Sequence, residues 1–356
     1  MGAVRFGGAA VKLKAVDLFS GCGGLTLGLK QAGFEVRAAL DVDPLAVETY
    51  KKNHPTTAVI SDDIRSVTGR KLLRSARLRK GELDLVAGCP PCQGFSSLRT
   101  LNGGVKINEP MNDLVFEFVR IVEEALPRAV MLENVPGLFD DARLKQVTTR
   151  LEALGFRCKA DVFDAVEFGV PQRRRRMILI GTRDFEPQFG RRARSRRTVK
   201  TAIYGLPKPG SGTDPLHDYE VNRAPHVDAL IKKIPLNGGS RSDLPKSEQL
   251  QCHLDCDGFY DVYGRMSWSL PAPTVTGGCI NPSKGRFLHP KQHRAITLRE
   301  AALLQGFPKK YYFSMERGRY PAAQMIGNAF PPGLARSHAA ALRQVLTRSC
   351  KRRGRS

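Results

Sequence analysis

The chain has 356 residues, 41% of them hydrophobic, enough to bury the core of one large domain beside a smaller one, which excludes overall disorder. Lysine and arginine outnumber aspartate and glutamate by 57 to 34, a formal charge of +23. That excess points to a polyanionic partner, nucleic acid before membrane, against the bland alternative of a merely basic surface. No apolar run could span a bilayer, no secretory signal opens the chain, and eight cysteines are too few for a disulfide scaffold, so a cytoplasmic protein in reducing surroundings is expected.

From residue 14 to residue 182, short apolar runs alternate with amphipathic stretches. Strands are predicted at 15–19, 36–40, 58–61, 83–87, 129–132, 159–163 and 177–181, with helices at 25–32, 44–53, 113–126 and 142–154 between them. Near-continuous apolar strands separated by helices predict an α/β domain with a doubly wound, mostly parallel sheet, whose ligands sit at the carboxyl ends of the strands. Beyond residue 182 the texture changes. A dense basic run at 191–197 leads into a glycine- and proline-rich region with weak periodicity up to about residue 288, which predicts a smaller irregular domain with short strands. Helical patterns return at 297–304 and 333–346, and a basic tail ends the chain. The boundaries implied are a catalytic domain of residues 1–184 plus 318–356, and a small domain of residues 185–317.

The first predicted strand runs into Asp17-Leu18-Phe19-Ser20-Gly21-Cys22-Gly23-Gly24-Leu25. Glycines there permit a sharp turn and a close approach of ligand to main chain. The dinucleotide fingerprint would need glycine where Thr26 stands, so a pyrophosphate cofactor is disfavoured. Asp41 closes the second strand, where a carboxylate can bond both hydroxyls of a ribose. A ribose-bearing cofactor is therefore expected. Asp63, after the third strand, faces the same edge and either contacts an adenine amino group or caps the next helix.

The fourth strand ends in Gly88-Cys89-Pro90-Pro91-Cys92-Gln93-Gly94-Phe95-Ser96. Two prolines give a stiff turn that holds the Cys92 thiol at the carboxyl edge, where a following helix terminus would favour the thiolate. The fifth strand ends in Glu133-Asn134-Val135-Pro136-Gly137, placing a carboxylate beside Cys92 that could hold or donate a proton near neutrality. Residues 172–176 read Gln-Arg-Arg-Arg-Arg; if they enter a strand, Gln172, Arg174 and Arg176 share a face that could bind a base carbonyl and a phosphate, while Arg173 and Arg175 form a solvated face. Cys89-x-x-Cys92 and Cys252-x-x-x-Cys256, the latter bracketing His253, could each be half of a zinc site, but no second pair completes either, so no metal is expected.

Taken together these segments resemble the DNA (cytosine-5)-methyltransferases of the compact bacterial restriction-modification type. The ordered set is DLFSGCGG, the acidic strand end at Asp41, PPCQGFS, ENVPGL, QRRRR, RAITLREAALLQGFP and QMIGNAFPPGLA, and it covers residues 14–184 and 294–345. The resemblance implies S-adenosylmethionine as cofactor, a target-recognition role for the small domain, and double-stranded DNA as substrate. It implies that Cys92 attacks C6 of a flipped-out cytosine, that Glu133 bonds and protonates N3, and that Arg174 and Arg176 orient the base. Phe19, Gly21, Gly23, Asp41, Asp63 and Asn328 would hold the cofactor, in a pocket that also takes in Cys22, Gly24, Leu25, Val42, Ile64 and Pro91. Val42 stands where some members place an aromatic ring against the adenine. Substrate contacts would include Gln172, Ser96, Thr274 and Thr276, the last two in a Thr-Val-Thr segment of the recognition region. Monomeric action is implied, with or without a cognate restriction endonuclease that forms no stable complex. Three other readings compete: an RNA cytosine methylase, a catalytically silent DNA-binding regulator, and a nicotinamide-dependent oxidoreductase, the last disfavoured by Thr26.

Overall fold

The computed structural model describes residues 12–91, 114–251 and 261–353. Its frame is a seven-stranded sheet made of β1 (Leu13–Leu18), β2 (Phe34–Asp41), β3 (Ala58–Ser61), β4 (Leu85–Gly88), β5 (Ala129–Asn134), β6 (Arg157–Asp164) and β7 (Arg175–Thr182), in the order β3-β2-β1-β4-β5-β7-β6. The first five strands pair in parallel; β7 is antiparallel to both β5 and β6. The seven expected strands are all present, in a doubly wound and mostly parallel sheet. The chain winds outward from β1 to β3, returns to β4 and winds the other way, so a crevice opens at the carboxyl ends of β1 and β4.

Strand alternation sends side chains to two cores. Val16 and Leu18 join a cluster with Leu72, Phe118, Val122 and Val147, under helices α3 (Gly69–Ser75), α4 (Leu114–Ala125) and α5 (Ala142–Ala153). Leu13 and Ala15 face the other side, where α1 (Gly24–Gln31) and the long C-terminal α10 (Pro332–Arg353) pack through Leu25, Leu29, Leu334 and Leu342. Between them, α2 (Pro44–Asn53) starts where the sequence says it should. Pro44 fills the first turn and the Asp43 carboxylate accepts from Leu45 N at 3.0 Å.

The region after β7 differs from expectation. Up to about residue 288 it carries, instead of short strands, the helices α6 (Val199–Ile203) and α7 (Pro225–Lys233) and, among the described residues, only isolated β-bridges; the expected helix at 297–304 is present as α8 (Leu298–Leu304), and α9 (Arg319–Asn328) follows it. Frequent proline and glycine keep any pair of segments from sustaining a ladder. Its order comes from elsewhere. The guanidinium of Arg265, fully buried, donates to the carbonyls of Ile231, Ile234, Pro235, His289 and Gln292, tying the end of α7 to two loops. Burial without an acidic partner lowers its pKa to about 10. The larger core of this region takes in Leu298, Phe307, Phe313 and Ile326, and also Cys22, Leu45 and Ala46 from the first half of the chain. Among the described residues no helix is long and apolar enough to cross a membrane.

Candidate active site

A cavity of about 590 Å³ occupies the crevice at the carboxyl edge of the sheet. Its wall gathers segments from at least seven places in the sequence: Phe19–Leu25 without Gly23, Asp41–Asp43, Asp62–Arg65, Cys89–Pro91, Glu133–Val135, Arg174 with Arg176, and the end of α9 through Asn328. Of the expected cofactor residues, Phe19, Gly21, Cys22, Gly24, Leu25, Asp41, Val42, Asp63, Ile64, Pro91 and Asn328 all line it. Gly23 lies behind the wall, wedged so that a Cβ would stand 2.5 Å from His54 Nε2.

The turn after β1 needs its glycines. Phe19 has φ of 57°, Gly21 51° and Gly23 93°, left-handed values that only glycine adopts without strain. A Cβ on Gly24 would meet the carbonyl oxygen of Phe330 at 2.3 Å, so α1 and the segment before α10 touch backbone to backbone. Asp41 fixes the other side of the turn: its carboxylate accepts from Gly21 N at 2.7 Å and from Asp43 N at 2.9 Å. Burial pushes its pKa up, and those two amides pull it back. Behind it, Thr26 donates to Asp17 at 2.7 Å and pairs with the Tyr50 hydroxyl at 2.7 Å. Thr26, the residue that breaks the dinucleotide pattern, is thus a buried hydrogen-bonding partner. The other Asp17 oxygen has no protein partner, and burial pushes this carboxyl up to about 7. The Cys22 thiol is aimed at the Met325 carbonyl, and burial raises its pKa to about 12.

Asp63 both lines the cavity and caps the next turn. Its carboxylate accepts from Arg65 N at 2.9 Å and pairs with the Arg65 guanidinium, whose hydrogen bonds hold its pKa down. Val42 is 64% exposed, a large apolar side chain left open at the mouth. This end of the cavity therefore offers carboxylates, open backbone and an apolar ledge.

The opposite end is different. Glu133, 7% exposed, meets Arg176 Nε at 2.8 Å. Arg174 is buried and donates to the Val275 carbonyl at 3.0 Å; burial first, then the neighbouring Arg176, drives its pKa well down. Strand β7 begins only at Arg175, yet burial alternates through the motif: Gln172, Arg174 and Arg176 turn inward while Arg173 and Arg175 are exposed. Gln172 is sealed behind the cavity. Its amide donates to Gln305 and accepts from Val275 N at 2.6 Å, and Gln305 in turn donates to the Ile326 carbonyl at 2.7 Å. Thr274 is exposed and donates to the Arg173 carbonyl at 2.8 Å; Thr276 accepts a long bond from Gly278 N, and neither threonine lines the cavity.

Cys92 and Ser96 lie outside the described residues, as do Cys252, His253 and Cys256. The approach to Cys92 is defined. Pro91 lines the cavity, and Asn134 holds the turn by donating to the Pro90 carbonyl at 3.1 Å. The other cysteine of the pair, Cys89, is a thiol kept protonated: burial and then the Glu133 charge push its pKa well above the ordinary value. Among the described residues no cluster of three or more histidine, cysteine, aspartate or glutamate side chains could hold a metal ion. Sequence reasoning missed Asn134, Gln305 and the Glu133–Arg176 pair. All three stand inside motifs it quoted, but nothing in RAITLREAALLQGFP marks Gln305 for burial.

A crevice of this topology, built on a glycine turn and an acidic strand end with Pro90 and Pro91 near a Glu–Arg pair, is that of an α/β enzyme whose site opens at the carboxyl edge of its sheet. The chain belongs to the C-5 cytosine-specific DNA methylase family, whose model matches residues 13–344. It is 34% identical over 345 residues to the type II methyltransferase M1.HphI of Haemophilus parahaemolyticus, covering 95% of this chain and 88% of that protein. It is likewise 34% identical to the type II methylase M.HgiDII of Herpetosiphon aurantiacus, across 93% and 95% of the two chains. Among solved structures, a protein described as a DNA modification methyltransferase encoded in an Escherichia coli prophage superposes with a TM-score of 0.69 at 25% identity, over 94% of this chain and 99% of that one. The Schizosaccharomyces pombe Dnmt2 methyltransferase shares the fold, with a TM-score of 0.64 at 17% identity over 96% and 100% of the chains. The protein is thus a DNA cytosine-5 methyltransferase with a Rossmann-like catalytic sheet.

Proposed function

We propose that the protein modifies one cytosine within a specific double-stranded DNA sequence, through a covalent bond between Cys92 and C6 of a base flipped out of the helix. The observation that carries this reading is the single cavity that collects the glycine turn, Asp41, the approach to Cys92 and the Glu133–Arg176 pair. Its two ends suit two different ligands. Asp41, Asp43, Asp62 and Asp63 line one end, where the cations Arg65 and Lys71 are already paired to Asp63 and Asp62. An acidic end repels phosphate and favours a hydroxylated, positively charged ligand, which fits S-adenosylmethionine. When bound, that cofactor supplies an electrophilic methyl group. Asp41 would take the ribose hydroxyls, Val42 the face of the adenine, and Asn328 would close the pocket from α9.

At the other end, C5 of cytosine is a poor nucleophile until sulfur adds at C6. Glu133 would hold the proton at N3 that neutralises the ring during that addition, and Arg176 fixes the carboxylate in place. Arg174 points a second guanidinium at the same space, its Nε without a protein partner. A stacked base cannot reach this depth, so flipping is required. The division into a catalytic part, residues 1–184 with 318–356, and a recognition part, residues 185–317, follows from this assignment.

The test is single-base sequencing of 5-methylcytosine in DNA from a methylation-free host expressing the protein, beside Cys92→Ser. Methylation confined to one short recurring motif and absent with the variant is the expected result. Unmethylated DNA from a folded protein that binds S-adenosylmethionine would refute it and bring forward RNA methylation or silent DNA binding.

A further inference from the structure

The basic run at 191–197 is not a loose tail. After β7 ends, the chain runs back along α10, where the Phe189 ring packs on Phe163 at 4.8 Å. Gly190 lies so close to α10 that a Cβ would stand 2.4 Å from the Ser337 backbone. Ser337 then donates to the Arg191 carbonyl at 2.7 Å, and Ala193 N donates to the Glu167 carbonyl at 2.8 Å. Glu167 belongs to the short helical turn Ala165–Phe168 that follows β6, so the strap is docked at the carboxyl edge, the edge that carries the cavity.

Residues 191–197 are all exposed. Arg192 is paired with Glu167 at 3.1 Å, and Arg197 donates to the Thr201 carbonyl; Arg191, Arg194 and Arg196 have no acidic partner among the described residues. The loop from Asp164 to Arg174, against which the strap lies, adds two more exposed guanidinium groups on its outer side, Arg173 and Arg175. Arg173 sits where that loop meets the recognition region: its N–H donates to the Ala272 carbonyl at 2.9 Å. From there the strap itself enters the same region, with Val199 N donating to the Leu270 carbonyl at 2.9 Å.

We propose that Arg191, Arg194 and Arg196, continued by Arg173 and Arg175, form a track for the phosphates of duplex DNA flanking the target base. This rests on the reading of double-stranded DNA as substrate and assigns a second part of the surface to it. Guanidinium forks suit phosphate oxygens, and a strap whose backbone is already anchored loses little entropy on binding. Continuity with the rim of the cavity through Arg173 is what separates the track from a merely solvated basic face.

A second exposed basic group supplies the control. Arg74, Arg77 and Arg79 lie at the end of α3 and in the turn before β4, on the amino-terminal edge of the sheet, where Glu82 N bonds the Arg79 carbonyl and Asp84 N the Lys14 carbonyl. The experiment measures duplex affinity against salt for wild type, for Arg191→Ala/Arg194→Ala/Arg196→Ala, for the same three positions changed to lysine, and for Arg74→Ala/Arg77→Ala/Arg79→Ala. Each phosphate neutralised contributes about 0.9 to the slope of log affinity against log salt, so the strap alanine variant should lose about 2–3 from the slope. Between 50 and 200 mM salt that amounts to wild type losing roughly 40-fold more affinity than the variant. The lysine variant should keep most of the slope, the α3 variant all of it, and the strap alanine variant should keep wild-type turnover at saturating DNA. An unchanged slope in the strap variant, or an equal fall in the α3 variant, would overturn the track. A wild type that binds no duplex at all would instead sink the DNA reading beneath it.

Discussion

Replacing Glu133 by glutamine isolates the proton-holding role of the carboxylate from its role in the fold. In the structure its side chain is 10% exposed and that of Arg176 is 16% exposed, with Nε at 2.8 Å from the carboxylate. Breaking a fully buried pair costs about 3–5 kcal/mol. Here glutamine keeps an acceptor for Arg176 and the pair retains some solvent, so the loss should be smaller, about 1–2 kcal/mol of stability, or about 2–8 °C in Tm for a domain of 150–250 residues. The chemical loss should be larger. Glutamine cannot hold or deliver a proton at N3, and general acid–base assistance is worth about 100- to 10,000-fold, roughly 3–5 kcal/mol of barrier. The assay is single-turnover methyl transfer at saturating DNA and S-adenosylmethionine, with both affinities measured separately and the melting temperature as control. A rate loss of at least 100-fold with affinities changed less than about threefold is expected. A variant that loses rate and affinity equally would refute the assignment, because the carboxylate would then be acting through binding alone.

Two further outcomes follow from buried groups. Gln172→Ala would leave Val275 N–H and the Gln305 amide oxygen without partners, a cost of about 1–3 kcal/mol each, and should loosen the recognition segment; the measurement is Tm together with KM for DNA, and a variant with unchanged Tm would contradict the relay. His54, His289 and His338 have pKa values lowered to about 4, chiefly by burial. Their folded values lie below the unfolded one near 6.5, so the unfolded chain binds more protons in between, and the stability they hold at neutral pH is lost as pH falls from about 6.5 to 4. Melting temperature against pH should therefore drop steeply over that window, by less in His338→Phe, whose ring can keep the aromatic contacts to Phe163 and Phe168. Equal slopes in wild type and variant would show that this histidine titrates freely.

The sheet was legible because each strand carries its own signal. Buried parallel strands are mostly apolar, so a carboxylate where a strand meets the crevice stands out, as Asp41 does at the end of β2 and Glu133 one residue before the end of β5. The helix α2 is similarly self-declaring, through Asp43 and Pro44. The small domain is not, because its order is made by contacts between residues distant in sequence. Arg265 gathers carbonyls from segments up to 34 residues away, and no local pattern marks an arginine destined for burial. The same holds for Gln305, whose partners Gln172 and Ile326 lie 133 residues before it and 21 after it, both outside the small domain.

The relay also explains why motif residues need not all touch substrate. Gln172 stands two residues before Arg174 and shares its inward face, so sequence alone gives both the same role. In the fold, Arg174 reaches the cavity while Gln172 is closed on both sides by Val275 and Gln305. Val275 engages both side chains, its carbonyl accepting from Arg174 and its N–H donating to Gln172. The segment around Val275 is therefore pinned to the stretch that carries Arg174 and Arg176 into β7, and through Gln305 to the end of α9 that carries Asn328. A shift of that segment on DNA would be felt at both ends of the cavity, which gives the chain a physical reason to keep a buried glutamine where a base contact was expected.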